Sequence, residues 1–428
     1  MKSYISRAEK INEQIQELAK YSDEKDCLSR IFGTAAFMRC RDTIELWMKE
    51  AGLHTSIDNM GNVRGKLSSE NTDAKTFVIG SHYDTVIDAG KYDGPLGVLA
   101  GLDIMKKLIA DQIKPPFNIE LIAFSDEEGV RFHTSYLGST VLTGKFNQDL
   151  LEKKDDSGIK LEEVLQQMHY ASDQLPNDAM PEDKWLGYYE IHIEQGPVLY
   201  KNNVPAGIVT CINGQKRIHI EFNGVSGHAG TVPMNIRKDA LAAAAQFVLA
   251  VEKLASSKKS NIVATVGKME VQYAASNVIP GKVSCTLDLR SGNKKKLSRA
   301  YEDLNALCEE ICNERKVYFE WKLVQESNLI DCDEKLMKFL RKAIKEQDKN
   351  VEVIEMESGA GHDAVAISKV APVAMLFVKC FKGISHNPLE NVEIKDIAAA
   401  LEISDNFMQQ LIHSPKWSEP QVQIENKK

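Results

Sequence analysis

The chain has 428 residues, 43% of them apolar and 27% charged, which supplies a substantial core and excludes a disordered chain, a disulfide-stapled miniprotein and a fibrous repeat. With 53 Lys and Arg against 61 Asp and Glu the net charge is −8, so no global field favours nucleic acid or an anionic membrane. No apolar run reaches the ~18 residues that a membrane span needs. The opening MKSYISRAEKINEQIQELAK reads as an amphipathic helix, not a secretory leader. The eight cysteines form no CxxC pair, so reduced thiols and a cytoplasmic location are expected.

Residues 28–52 read as a helix ending at Gly52, and residues 76–79 (TFVI) as a short strand leading into GSHYDT. A helix over 96–110 and the apolar strand NIELIAF precede SDEEGVRF. This cadence of strand, loop, helix and strand predicts an α/β domain with a mixed, mostly parallel sheet flanked by helices. Chemistry in such sheets gathers where strands end. Residues 188–194 alternate, with Ile191 and Ile193 on one face and His192 on the other. From 215 the rhythm changes: strand 215–223, helix 235–255, strands 262–273 and 282–290, helix 295–315 and strand 317–324. That order, βαββαβ, is a ferredoxin-like unit, inserted as residues 214–328 into a domain made of 1–213 and 329–428. The first domain resumes with a helix over 334–347, strands over 351–355 and 373–378, and a helix over 392–412; residues 414–428 read as a frayed polar tail.

His82 and Asp84 follow a strand, as a metal ligand and its orienting carboxylate do, although a structural pair has the same spacing. Asp93 lies in AGKYDGPLG, where the glycines permit close approach to a ligand or simply make a turn. Asp126, Glu127 and Glu128 follow an apolar strand; either they are solvated, or one ligates a cation while its neighbour carries a proton to and from water. His192 in EIHIEQGP and His386 in GISHNPLE are each, taken alone, ordinary structural hydrogen-bonders. Together these histidines and carboxylates at strand ends can build a two-metal centre with a bridging carboxylate, suited to zinc, manganese, cobalt or nickel. Arg290 alternates with Asp288 and Thr286, opposite Leu287 and Leu289, and taken alone reads as a surface arginine on a strand.

The ordered motifs GSHYDT, KYDGPLGVLAGL, DEEGVRF, HIEQGPVL, NGVSGHAGTVPM, NVIPGKVSCTLDLR, SGAGHDA and GISHNP resemble the carbamoylase-type branch of the M20 metallopeptidase-like family. That branch holds N-carbamoyl-L-amino acid hydrolases, allantoate amidohydrolases and β-ureidopropionases, and the resemblance runs over about residues 33–412. His192 stands where the wider family's dipeptidases and deacylases usually have an acidic ligand. The resemblance implies two divalent metals per subunit: His82, Asp93 and His192 on one, and Asp93, Glu128 and His386 on the other. It implies Glu127 as general base and then general acid, and Asp84 as the residue that orients His82. It makes the inserted domain a lid and dimerisation domain, with His228 polarising the scissile carbonyl in the partner subunit of a homodimer. Gln215, Asn277, Arg290 and the backbone of Gly359, Ala360 and Gly361 would bind the substrate's carboxylate end, and Gln195 would lie near the metals.

The expected reaction is hydrolysis of a linear C–N bond in a ureido compound. An N-carbamoyl-L-amino acid is preferred and allantoate is the alternative; a metallo-exopeptidase and a non-catalytic binding protein are the readings from other classes. His362 and Asp363 are read as helix capping and loop rigidity, and His219 as a solvent-facing strand residue. His54, His133, His169 and His413 are read as surface or core residues.

Overall fold

The structure is a computed structural model and describes residues 2–257, 260–349 and 351–414. The polar tail expected over 414–428 lies outside the described residues from 415 onward. The chain divides into two compact units: one takes the described residues up to Thr210, Cys332–Met356 and those from Gly361 onward, the other Cys211–Asp331 and Glu357–Ala360.

In chain order the strands are β1 (His54–Ile57), β2 (Val63–Leu67), β3 (Thr76–His82), β4 (Asn118–Phe124), β5 (Trp185–Ile193), β6 (Ala206–Ile212), β7 (Gly214–Asn223) and β8 (Gly227–His228). They continue as β9 (Val263–Val271), β10 (Val278–Ile279), β11 (Lys282–Ser291), β12 (Tyr318–Ser327), β13 (Ile330–Asp331), β14 (Glu355–Ser358) and β15 (Val373–Val378).

The first unit's sheet runs β1-β2-β4-β3-β5-β15-β6. Its centre, β4-β3-β5-β15, is parallel, and the pairs β1–β2, β2–β4 and β15–β6 are antiparallel. Every residue of β3, β4, β5 and β15 is buried, which is why β3, β4 and β15 read as apolar runs; β5, which reads as alternating, is buried on both faces as well. The N-terminal helix Lys2–Leu18 buries Ala8, Ile11, Ile15 and Leu18 along one stripe. Its Arg7 joins Asp103 and Asp405, each at 2.6 Å, tying it to the helices Pro95–Ala110 and Ile394–Ile412.

Three local expectations are corrected. The helix placed over 28–52 is Ala35–Glu50, because Gly33 turns the chain at φ 78° and Thr34 caps the helix by accepting the Phe37 N–H. The helix placed over 235–255 is Ala240–Ala255, since the Asp239 side chain caps Ala242 after a tight turn over Met234–Ile236. The strand placed over 351–355 is Glu355–Ser358.

The second unit's sheet runs β12-β7-β11-β9, antiparallel throughout, with helices Ala240–Ala255 and Lys294–Arg315 between its strands in βαββαβ order. One sheet face packs Ile218, Ile220, Phe222, Leu287 and Leu289 against Phe247 and Leu304 of those helices. The other face carries Gln215, Arg217, Asp288 and Arg290. The ribbon β8–β10 projects from this unit, pairing His228 with Val278. Among the described residues no helix is long and apolar enough to cross a membrane.

Candidate metal centre

The parallel strands deliver the first unit's chemistry at their carboxyl ends. His82 ends β3, His192 is the penultimate residue of β5, and Asp126 to Glu128 follow β4. Asp93 enters through Gly94, which takes φ 82° as the helix Pro95–Ala110 begins; a side chain at Gly94 would strike the His82 ring. Asp126, Gln195 and His386 each hold positive φ (50°, 56° and 52°), a left-handed backbone that turns their side chains at this site.

Asp93 joins two groups of side chains. Its Oδ1 lies 3.3 Å from His82 Nε2 and 3.1 Å from His192 Nε2. Its Oδ2 lies 3.2 Å from His386 Nε2, which is 3.4 Å from Glu128 Oε1. The ligand atoms of His82, Asp93 and His192 lie within 4.8 Å of one another, as do those of Asp93, Glu128 and His386, and of His82, Glu127 and Glu128.

These residues fit divalent metals. His82 Nδ1 donates to the Asp84 carbonyl at 3.1 Å and His192 Nδ1 to the Ile193 carbonyl at 3.0 Å, which leaves the Nε2 lone pairs 3.4 Å apart. Between them Asp93 Oδ1 is buried with no hydrogen-bond donor among the described residues. Because each Nδ1 already donates, a protonated Nε2 would make that ring a buried imidazolium; a cation between the rings serves both nitrogens and the carboxylate oxygen. The electrostatics point the same way. Burial pushes the Asp93 carboxyl up, but His192, His386 and His82 together hold it well below its ordinary value. Burial depresses His82, yet Asp84 and Asp93 hold it well above the usual imidazole range. His386 is pushed up to about 10 by Asp93 and Glu128. Burial, with Glu128 and Asp363, raises Glu127 well above the usual carboxylate range, against the opposing charge of His82.

Asp84 meets His82 through its backbone. Its carbonyl, not its carboxylate, accepts the His82 ring proton; the carboxylate stands 3.6 Å from Nδ1 and accepts the N–H groups of Glu127 and Glu128 at 3.1 and 3.2 Å. Gln195 Nε2 donates to Asp93 Oδ2 at 2.7 Å. Asp363 is corrected: it starts a short helix at helical φ −56° and ψ −26° and makes no capping bond, while Glu190 accepts the Ala364 N–H at 3.2 Å. His362 packs its ring edge-on against His192, 4.5 Å between centroids.

Two residues escaped the sequence reading. The Ser385 hydroxyl lies 2.6 Å from Asp93 Oδ2, to which it donates, and 3.0 Å from Glu390 Oε2, and Glu390 Oε1 accepts the backbone N–H groups of Tyr92 and Asp93 at 2.7 and 3.1 Å. Their only signal was position, flanking His386 in GISHNPLE.

The remaining candidates lie mostly in the second unit. Arg290 faces Gln215 across the β11–β7 ladder, and its Nη1 donates to the Gly359 carbonyl at 2.6 Å. The Ala360 carbonyl accepts the Ser358 hydroxyl at 2.9 Å. In the first unit, any side chain at Gly361 would collide with the Tyr136 hydroxyl. The β8–β10 ribbon brings His228 beside Asn277, whose carbonyl accepts the Ala229 N–H at 2.9 Å. His228 Nδ1 accepts the Gly230 N–H at 3.0 Å, so the neutral ring keeps its proton on Nε2, a donor suited to a carbonyl oxygen.

Residues 78–410 match the family described as Peptidase family M20/M25/M40. Over 429 residues the chain is 38% identical to allantoate deiminase 1 of Glycine max, covering 93% of this chain and 88% of that protein. It is 34% identical over 409 residues to the N-carbamoyl-L-amino-acid amidohydrolase of Pseudomonas sp. (strain NS671), covering 94% and 98%. The crystal structure of a hydantoinase/carbamoylase family amidase from Burkholderia multivorans superimposes with a TM-score of 0.86 at 32% identity, over 94% of this chain and 97% of that one. With its sheet, its paired histidine–carboxylate groups and these whole-length likenesses agreeing, the chain belongs to peptidase family M20/M25/M40, in the branch of the carbamoylase-type amidohydrolases.

Proposed function

We propose that this chain hydrolyses the ureido C–N bond of a carboxylate-bearing substrate, with allantoate as the first candidate and N-carbamoyl-L-amino acids as the second. The observation that carries the reaction is the sharing of Asp93 between two ligand triads with Glu127 alongside. Allantoate moves ahead of the sequence preference because the relatives at 37–38% identity are named allantoate deiminases, against 34% for the N-carbamoyl-L-amino acid enzymes.

Two divalent cations, of a kind that imidazole and carboxylate accept (zinc, manganese, cobalt or nickel), would polarise the ureido carbonyl and acidify the attacking water. Glu127 takes the water's proton as oxygen adds to the carbonyl carbon, and returns it to the nitrogen as the C–N bond breaks. The carbamic acid released falls apart to carbon dioxide and ammonia. Asp84 holds the Glu127 and Glu128 backbone in place. Gln195, Gln215 and Asn277, with the backbone of Gly359, Ala360 and Gly361, would orient the substrate, and Arg290 would take its carboxylate.

The proposal extends to assembly. The second unit serves as lid and dimerisation domain, and His228 of the partner subunit donates its Nε2 proton toward the scissile carbonyl. Mixing inactive His228→Ala and Glu127→Gln proteins and letting subunits exchange should restore about a quarter of wild-type activity, since half the dimers are then mixed and each holds one intact site. No recovery after confirmed exchange would contradict the arrangement in trans. The free cysteines favour work in the reducing cytoplasm.

Ammonia release from a panel of allantoate, several N-carbamoyl-L-amino acids and dipeptides tests the substrate. Allantoate is expected to give the highest kcat/KM. Dipeptides turned over faster than every ureido acid would overturn the proposal.

A further inference from the structure

The open face of the second unit's sheet carries a charged knot centred on Asp288, to which the reaction above gives no task. In the β11–β7 ladder Asp288 stands opposite Arg217, and Arg290 opposite Gln215. Asp288 Oδ1 accepts Arg290 Nε at 2.8 Å and Oδ2 accepts Arg290 Nη2 at 3.0 Å, a two-pronged ion pair along one edge of the guanidinium. Oδ2 also accepts Gln215 Nε2 at 2.6 Å and Arg217 Nε at 3.2 Å. With Nη1 bonded to the Gly359 carbonyl, three nitrogens of Arg290 are fixed and its plane is set. Within this knot Arg217 and Arg290 are positive and Asp288 negative. They line an open concavity of about 660 Å³ that also takes in Val263, Thr265, Thr286 and Val324.

We propose that Asp288 is a positioning residue that orients the Arg290 guanidinium for the substrate's carboxylate. A guanidinium recognises a carboxylate through a planar fork, so its orientation decides whether two parallel bonds form or one. Arginine's long side chain does not hold that plane unaided. Asp288 holds it from the sheet itself, two residues along the same strand face. The inference rests on the reading of Arg290 given above.

The test compares a carboxylate substrate with its uncharged amide analogue. Wild-type turnover of the ureido-acid panel is established first; its failure would overturn the proposed function and this inference with it. With that turnover in hand, Asp288→Asn is expected to raise KM for the carboxylate substrate at least tenfold, with kcat within threefold. The amide analogue should keep its kcat/KM within twofold. In an Arg290→Ala background the same substitution should change KM by less than twofold, because the residue it acts through is gone. Should Asp288→Asn fail to fold, Asp288→Glu carries the test, with a threefold to tenfold rise in KM confined to the carboxylate substrate. An unchanged KM, an equal loss on the amide, or a full additional loss in the Arg290→Ala background would overturn the role of Asp288 and leave the proposed function standing.

Discussion

Two carboxylates organise this molecule, and they do so in opposite ways. Asp93 in the first unit is buried among imidazoles, with Oδ1 lacking a donor among the described residues. Asp288 in the second unit is part-exposed and accepts from Arg290 Nε and Nη2, Gln215 Nε2 and Arg217 Nε. The imidazoles around Asp93 are titratable and can give up their inward Nε2 protons, so that hub can exchange protons for metal cations. The guanidiniums around Asp288 are permanently charged, so that hub has positive charge to spare and fits an anion. The partners, not the carboxylate, decide what each hub collects.

The largest expected effect tests the first hub's chemistry. Glu127→Gln keeps the side chain's shape but removes the proton acceptor, and kcat should fall ~10²–10⁴-fold with both metals retained by elemental analysis. A fall under about threefold would remove Glu127 from the reaction. Next comes the second hub's charge. Arg290→Lys replaces the fork with a point charge, and the loss of a charged hydrogen bond, about 1.5–3 kcal/mol, should appear in KM for the carboxylate substrate while metal affinity stays unchanged. Ser385→Ala should do the reverse. It removes the 2.6 Å bond to Asp93 Oδ2, so metal affinity measured against a chelating dye should drop about 10–100-fold while the preference for carboxylate over amide substrates is kept. If Arg290→Lys weakened metal binding, or Ser385→Ala changed that preference, the separation of the two hubs would fail. Thr34→Ala touches neither hub. Losing this helix cap should cost about 1 kcal/mol in denaturant unfolding and leave metal affinity and KM alone.

What the sequence made legible follows from how local each cause is. The strand Asn118–Phe124 and the helix Glu334–Gln347 stand where the pattern placed them, because a continuous apolar run and a 3.6-residue stripe are properties of the segment itself. The helix at Ala35 starts late because a glycine at φ 78° and a threonine cap override an apolar pattern that begins earlier. The residues that gather into clusters able to hold a metal ion were readable from strand-end motifs. Their partners were not: Glu390 reaches the Asp93 backbone from 297 residues away, a contact that only the folded chain creates. Asp84 shows the finer limit. Its spacing from His82 signalled a pair, but whether carbonyl or carboxylate meets the ring depends on backbone geometry.

The central claim is that the Asp93 hub needs metal to hydrolyse a ureido bond. The direct measurement is ammonia release from allantoate and an N-carbamoyl-L-amino acid by protein stripped with a chelator, verified metal-free, then titrated with manganese, cobalt, nickel or zinc. The account predicts no turnover by the stripped protein and recovery that saturates near two equivalents per chain; full turnover by the verified metal-free protein would contradict it.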